Sequence, residues 1–182
     1  MGHREHAFDL TEFDFPAEVK ELLYLMMDRD GIKRKKARQM MVKRGEHAIP
    51  YLLQLVNVQH DQFRWEIVKS LEEISDKSLI PTFLTIMNKD ENSDIRTIAA
   101  KGMARLGRLG IIPLLEMLIR GEHLFYLYDT SVYVLRSYND FAENAEIESL
   151  IDKLLESEIP NTTVPPIAEK ILNEMTGAHT GE

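Results

Sequence analysis

Trp65 is the only tryptophan of the chain and stands between Arg64 and Glu66. An aromatic ring flanked by charge can anchor a protein partner, stack on a base, or pack over a neighbouring helix with its indole N–H on a carbonyl. A second aromatic cluster, Tyr126, Tyr128, Tyr133 and Tyr138, lies farther along. The third concentration is ionic: residues 29–44 hold eight basic side chains and one acidic one. Such a run either meets phosphates, with salt-dependent affinity, or is a solvated helix face. Bond-making chemistry is poorly provided. Six histidines are scattered, and His47 and His123 repeat the same turn, Gly-Glu-His. Apart from His3 and His6, near the terminus, none shares a helix at metal-pair spacing, so no metal, cofactor or catalytic residue is expected. A Gly-rich phosphate loop and a serine-nucleophile motif are both missing. Cysteine is absent, which excludes disulfides and thiolate sites.

Composition sets the frame for these residues. The 182-residue chain carries a net charge of −8, with ten acidic and two basic side chains in 139–182 opposing the basic 29–44 run. No stretch of eighteen apolar residues occurs, and the first residues lack the apolar core of a signal peptide. A cytoplasmic protein is the expectation.

The elements that position the candidates are helices throughout. Apolar residues recur at helical spacing over roughly 16–28, through Ala37, Met40, Met41 and Arg44 in a second helix to Gly45, and then over 47–58, 61–75, 78–88, 93–106, 109–120, 124–138, 144–157 and 165–175. Pro16 and Pro165–Pro166 suit first turns, Asn92 and Ser93 suit an N-cap, and Gly45, Gly107, Gly121 and Gly177 suit C-terminal stops. One phrase repeats: Ile49-Pro50, Ile80-Pro81 and Ile112-Pro113 lie 31 and 32 residues apart. Self-similarity at this period predicts stacked helical hairpins, about five of them, none able to bury its apolar stripe alone.

These residues resemble the HEAT-repeat family, particularly its phycobilisome-lyase-like repeats. The resemblance covers roughly 16–176 and rests on Pro50, Pro81 and Pro113, with Asp28 and Arg34, and Asp90 and Arg96, at a six-residue interval. The run from Ile95 to Gly107 is its closest match. It implies an all-α, right-handed α-α superhelix in which an aspartate of the turn and an arginine of the second helix form a ladder between repeats. Val58 before Arg64, and Glu122 with Tyr128, depart from that pattern, so the ladder is expected to break in the fourth repeat. The expected division is an N-terminal extension or cap at 1–15, the repeat domain at 16–176 and a disordered tail at 177–182. Phe8, Phe13 and Phe15, interleaved with acids, suit a cap over the open end of the first repeat, or a docking peptide.

Alignment of the second helices on Arg34, Arg64, Arg96 and Tyr128 sorts their faces. Three and seven residues later stand Ala37, Ile67, Ala99, Ser131 and Met41, Leu71, Met103, Leu135, which must face the core. The resemblance places the second helices on a concave face. The expected partner-binding set there is Trp65, Lys69, Lys101, Arg105, Tyr133 and Arg136, which would make the chain a non-catalytic scaffold or adaptor for a protein or peptide. The rival reading is a nucleic-acid binder, or an enzyme like the HEAT-like DNA glycosylases, using the patch of Lys33, Lys35, Lys36, Arg38 and Lys43. Phe63-Arg64-Trp65-Glu66-Ile67 also resembles a repeat segment of deoxyhypusine hydroxylase, a di-iron enzyme. Trp65 stands where that family needs histidine, which removes the metal.

Overall fold

A computed structural model describes residues 8–121, 126–138, 145–156 and 160–177. Among them every regular element is helical. The chain divides after Ile74 into two compact units.

The first unit contains α1 (Ala17–Leu25), α2 (Gly31–Val42), a 3-10 turn at Gly45–Ala48, α3 (Ile49–Leu53) and α4 (Asp61–Ile74). Pro50 occupies the first turn of α3, where its missing N–H costs nothing. Asp30 caps α2 by accepting the Ile32 N–H at 2.8 Å. His60 Nδ1 accepts the Phe63 N–H at 3.2 Å, in the first turn of α4. The helix expected over 47–58 is much shorter, because a 3-10 turn precedes Ile49 and open turns follow Leu53. α2 packs between α1 and α4. The segment before α1 buries Leu10 and Phe15. Phe15 meets Tyr51 edge-on at 5.3 Å and Phe8 lies 5.8 Å from Phe63. These aromatic contacts are with α3 and α4, the second hairpin.

The second unit contains α5 (Ile80–Lys89), α6 (Ser93–Arg105), α7 (Arg108–Arg120), α8 (Leu127–Arg136), α9 (Ala145–Leu155) and α10 (Pro160–Thr176). Asn92 caps α6 through the N–H groups of Asp94 and Ile95, at 2.9 and 3.3 Å. Gly107, at φ 54, turns the chain into α7 within two residues. There α7 crosses so close to α6 that any side chain at Gly110 would strike the Met103 carbonyl oxygen. Because α7 starts this early, Pro113 falls inside the helix and not in its first turn. α10 likewise begins before the expected Pro165, which it encloses.

Pairing in this unit departs from a uniform stack. α5 and α6 form a close hairpin, and α8 lies along α6. The main neighbour of α7, however, is α10, and α9 lies against α8 and α10. The Arg108 guanidinium, at the start of α7, donates to the Met175 carbonyl near the end of α10, so the two helices run in opposite directions. α7 buries Ile111, Leu114, Leu115 and Leu118, and α10 buries Val164, Ala168 and Ile171. The hairpin partner that the repeat rule assigns to α7 is α8, but α8 is held by α6. α10 covers the stripe that α8 leaves. Residues 178–182, and with them most of the expected tail, lie outside the described residues.

Candidate interaction surface

The periodic arginines have one geometry in the two units. Arg34 Nη1 donates to the carbonyls of Asp28 and Arg29 at 2.8 and 3.1 Å. Arg96 Nη1 does the same to Asp90 and Glu91 at 2.7 and 3.0 Å, and Arg64 reaches the Val58 carbonyl at 3.4 Å. The six-residue interval therefore reports an arginine on backbone carbonyls of the turn that leads into its own helix. The aspartates hold the turn: Asp28 Oδ1 accepts the Asp30 N–H and Asp90 Oδ1 accepts the Asn92 N–H. Those bonds put Asp28 below the usual carboxylate range, the Asp30 N–H first and Lys33 second. Because the acceptor is a carbonyl, valine can replace aspartate at 58 without losing the contact.

The inter-helix link in the first unit uses a different acid. Glu66, 3% exposed, receives Arg34 Nε at 3.2 Å and Arg38 Nη1 at 2.5 Å, tying α2 to α4. Arg38 Nε also lies 3.3 Å from Glu73. The Arg38 guanidinium sits 5.4 Å from the centre of the Trp65 ring, within cation–π range. Trp65 is half-buried on this support. Lys69, also half-buried, pairs with Glu72 and, at 3.7 Å, with Glu73. Glu72 is 1% exposed.

This geometry changes the basic patch. Arg38 is buried and committed to Glu66 and Glu73, so it does not belong to an exposed anion-binding set; two acids of α4 draw it inward. Lys33 pairs with Asp28 at 3.1 Å. Lys35, Lys36 and Lys43 are exposed.

In the second unit, α6 and α8 line an open cleft of about 230 Å³. α6 supplies Ser93, Arg96, Thr97 and Ala100; α8 supplies Asp129, Thr130 and Tyr133. Tyr133 is 42% exposed. Lys101, Arg105 and Arg136 are exposed on the same two helices. Arg96, already bonded to carbonyls, stacks 4.1 Å from the centre of the Tyr126 ring. Tyr128, which replaces the periodic arginine, is partly buried, and burial raises its hydroxyl pKa. All eight residues assigned to the core columns are buried.

A family model described as HEAT repeats matches residues 49–136, from the first Ile-Pro phrase to the end of α8. Residues 49–136 carry HEAT repeats. The all-helical build of the chain is that of the α-α solenoid class. Among curated proteins none matches the chain. The HEAT match spans both aromatic candidates, Trp65 and Tyr133, while the basic run on α2 lies before it. Among the described residues no three His, Cys, Asp or Glu side chains converge as a metal site, and no helix is long and apolar enough to cross a membrane. His3, His6, His123 and His179 lie outside the described residues. Sequence reasoning missed Glu66 and Glu73 as partners of Arg38. The available signal was two acids on the inner side of α4 opposite an arginine-rich α2.

Proposed function

We propose that this HEAT-repeat chain is a non-catalytic scaffold that binds a protein or peptide partner on the outward faces of its second helices, in a cytoplasmic setting. The anchors are Trp65 and Lys69 in the first unit, and Lys101, Arg105, Tyr133 and Arg136 in the second. The observation that carries the reading is Tyr133, a large side chain left 42% exposed at a cleft between two packed helices. Exposed aromatics beside arginine, on a rigid support, are the side chains that dominate protein–protein affinity. Helices already packed lose little ordering entropy on binding. HEAT repeats commonly mediate such contacts, which supports the same reading. The engagement of Arg38 and Lys33 by acids leaves three lysines of the rival patch for phosphate, which favours a protein partner over nucleic acid.

The test uses the full chain as bait and compares it with Trp65→Ala and Tyr133→Ala. Binding that tolerates salt and is lost in the variants is the expected result. Complexes that survive both substitutions would sink the proposal, and binding that collapses steeply with salt would move it to nucleic acid. Iodide should quench Trp65 partially; complete shielding would remove that residue from the set.

A further inference from the structure

The cleft of the second unit has a direction, and we infer that it selects a peptide segment whose charge runs from basic to acidic across a central apolar side chain. This rests on the protein-binding reading and names the partner's chemistry. The N-terminal ends of the two helices lie together, since Arg96 near the start of α6 stacks on Tyr126, the residue before α8; the cleft takes Thr97 and Ala100 from α6 and Asp129 and Tyr133 from α8. The two helices, which pack against each other, therefore run the same way. Asp94 and Asp129, both exposed, stand at their N-terminal ends. Lys101, Arg105 and Arg136, all exposed, stand toward their C-terminal ends. Tyr133 lies between.

The charges also complement the dipoles of both helices, so this polarity is stable in the free protein. Arg96 faces the same cleft, but its guanidinium is bonded to the carbonyls of Asp90 and Glu91 and stacked on Tyr126. Its charge stays positive and offsets one of the two aspartates, so the other keeps this end acidic. Seven residues of α8 separate Asp129 from Arg136, a rise of about 10 Å. An extended peptide covers that distance in about three residues. The fitting segment is a lysine or arginine, an apolar side chain two positions away that enters beside Tyr133 and Ala100, and a carboxylate one or two positions beyond. A uniformly acidic or uniformly basic peptide meets repulsion at one end.

The probe is a phage-displayed library of random dodecapeptides panned separately on the immobilised full chain and on its charge-exchanged variant. Recovered peptides are measured by fluorescence anisotropy on three proteins: the natural chain, Tyr133→Ala, and the charge-exchanged Asp129→Lys/Lys101→Glu/Arg105→Glu. Circular dichroism checks folding, and Lys101→Ala/Arg105→Ala replaces the triple variant should that one misfold. The expected result is a basic–apolar–acidic order in the peptides, at least tenfold weaker binding to Tyr133→Ala, and the opposite order enriched on the exchanged protein. With the alanine pair, the expected loss is selective for peptides carrying the carboxylate. Peptides that depend on Tyr133 but show no charge order, or the same order on both proteins, overturn this inference and leave the scaffold reading standing. So does an equal loss for all peptides on the alanine pair. Peptides indifferent to Tyr133→Ala, or no enrichment over a protein-free control, overturn both.

Discussion

Glu66 should be the most sensitive polar position of the first unit. Its side chain is 4% exposed and receives two guanidinium groups, at 3.2 and 2.5 Å. Glu66→Ala would leave Arg38, itself 8% exposed, with Glu73 at 3.3 Å as its remaining acid. Breaking a buried pair in this way costs about 3–5 kcal/mol, because the surviving charge stays desolvated. Glu66→Gln keeps an acceptor but not the charge, and charge-assisted bonds are roughly twice as strong as neutral ones, so about half that loss is expected. Urea unfolding followed by tryptophan fluorescence suits the question, since the sole tryptophan, Trp65, lies in the same unit. With a slope of about 1.5–2 kcal/mol per M, Glu66→Ala should lower the midpoint by about 2 M. Replacing both Glu66 and Arg38 by methionine should recover most of the loss, since an apolar pair avoids the buried charge. A cost for Glu66→Ala below about 1 kcal/mol, the scale of exposed ion pairs, would refute this account.

Gly102 and Gly110 should both resist enlargement, although alanine is the better helix former by about 1 kcal/mol. A Cβ at Gly102 would come within 2.6 Å of the Phe83 ring, and one at Gly110 would strike the Met103 carbonyl. Gly110→Ala should cost more, about 1–3 kcal/mol, because backbone cannot rotate away; a rise in melting temperature would refute the close approach. Acid should erode both units. Asp28 is lowered mainly by the Asp30 N–H, and Asp76 by Ser78, through the hydroxyl first and the N–H second. A depressed carboxylate contributes fully above its unfolded value of about 3.9 and loses that contribution as pH falls through the folded one. Denaturation at descending pH should show a shallower acid loss in Asp76→Asn, and an unchanged slope would count against the role of Asp76. Tyr126→Leu should cost about 0.5–1 kcal/mol by removing the ring under Arg96, read from urea unfolding followed by far-UV circular dichroism; no change would mean the stacking adds nothing to the carbonyl bonds.

The recurring Ile-Pro phrase and the arginine interval together give a register, and that register identified the core. Ala37, Ile67, Ala99, Ser131 and the column four residues on are buried because helical period alone decides which face is small or apolar. The same register made Tyr133 comparable with Lys101 and exposed it correctly. It also marked Tyr128 as the point where the pattern fails, near which α10 replaces α8 as the principal neighbour of α7. What periodicity leaves open is the neighbour. An apolar stripe on α7 is satisfied by any matching stripe, so the choice of α10 belongs to tertiary packing. Long charged side chains are undetermined for the same reason. Arg38 and Lys36 are both basic residues of α2, yet Arg38 points at Glu66 and Glu73 and is buried, while Lys36 meets solvent. The sequence by itself determined helices, register and the inward columns, because these follow from local spacing. Only the tertiary structure decided which carbonyls the arginines bind, which helix covers α7 and which cations stay exposed, because each depends on partners far away in the chain.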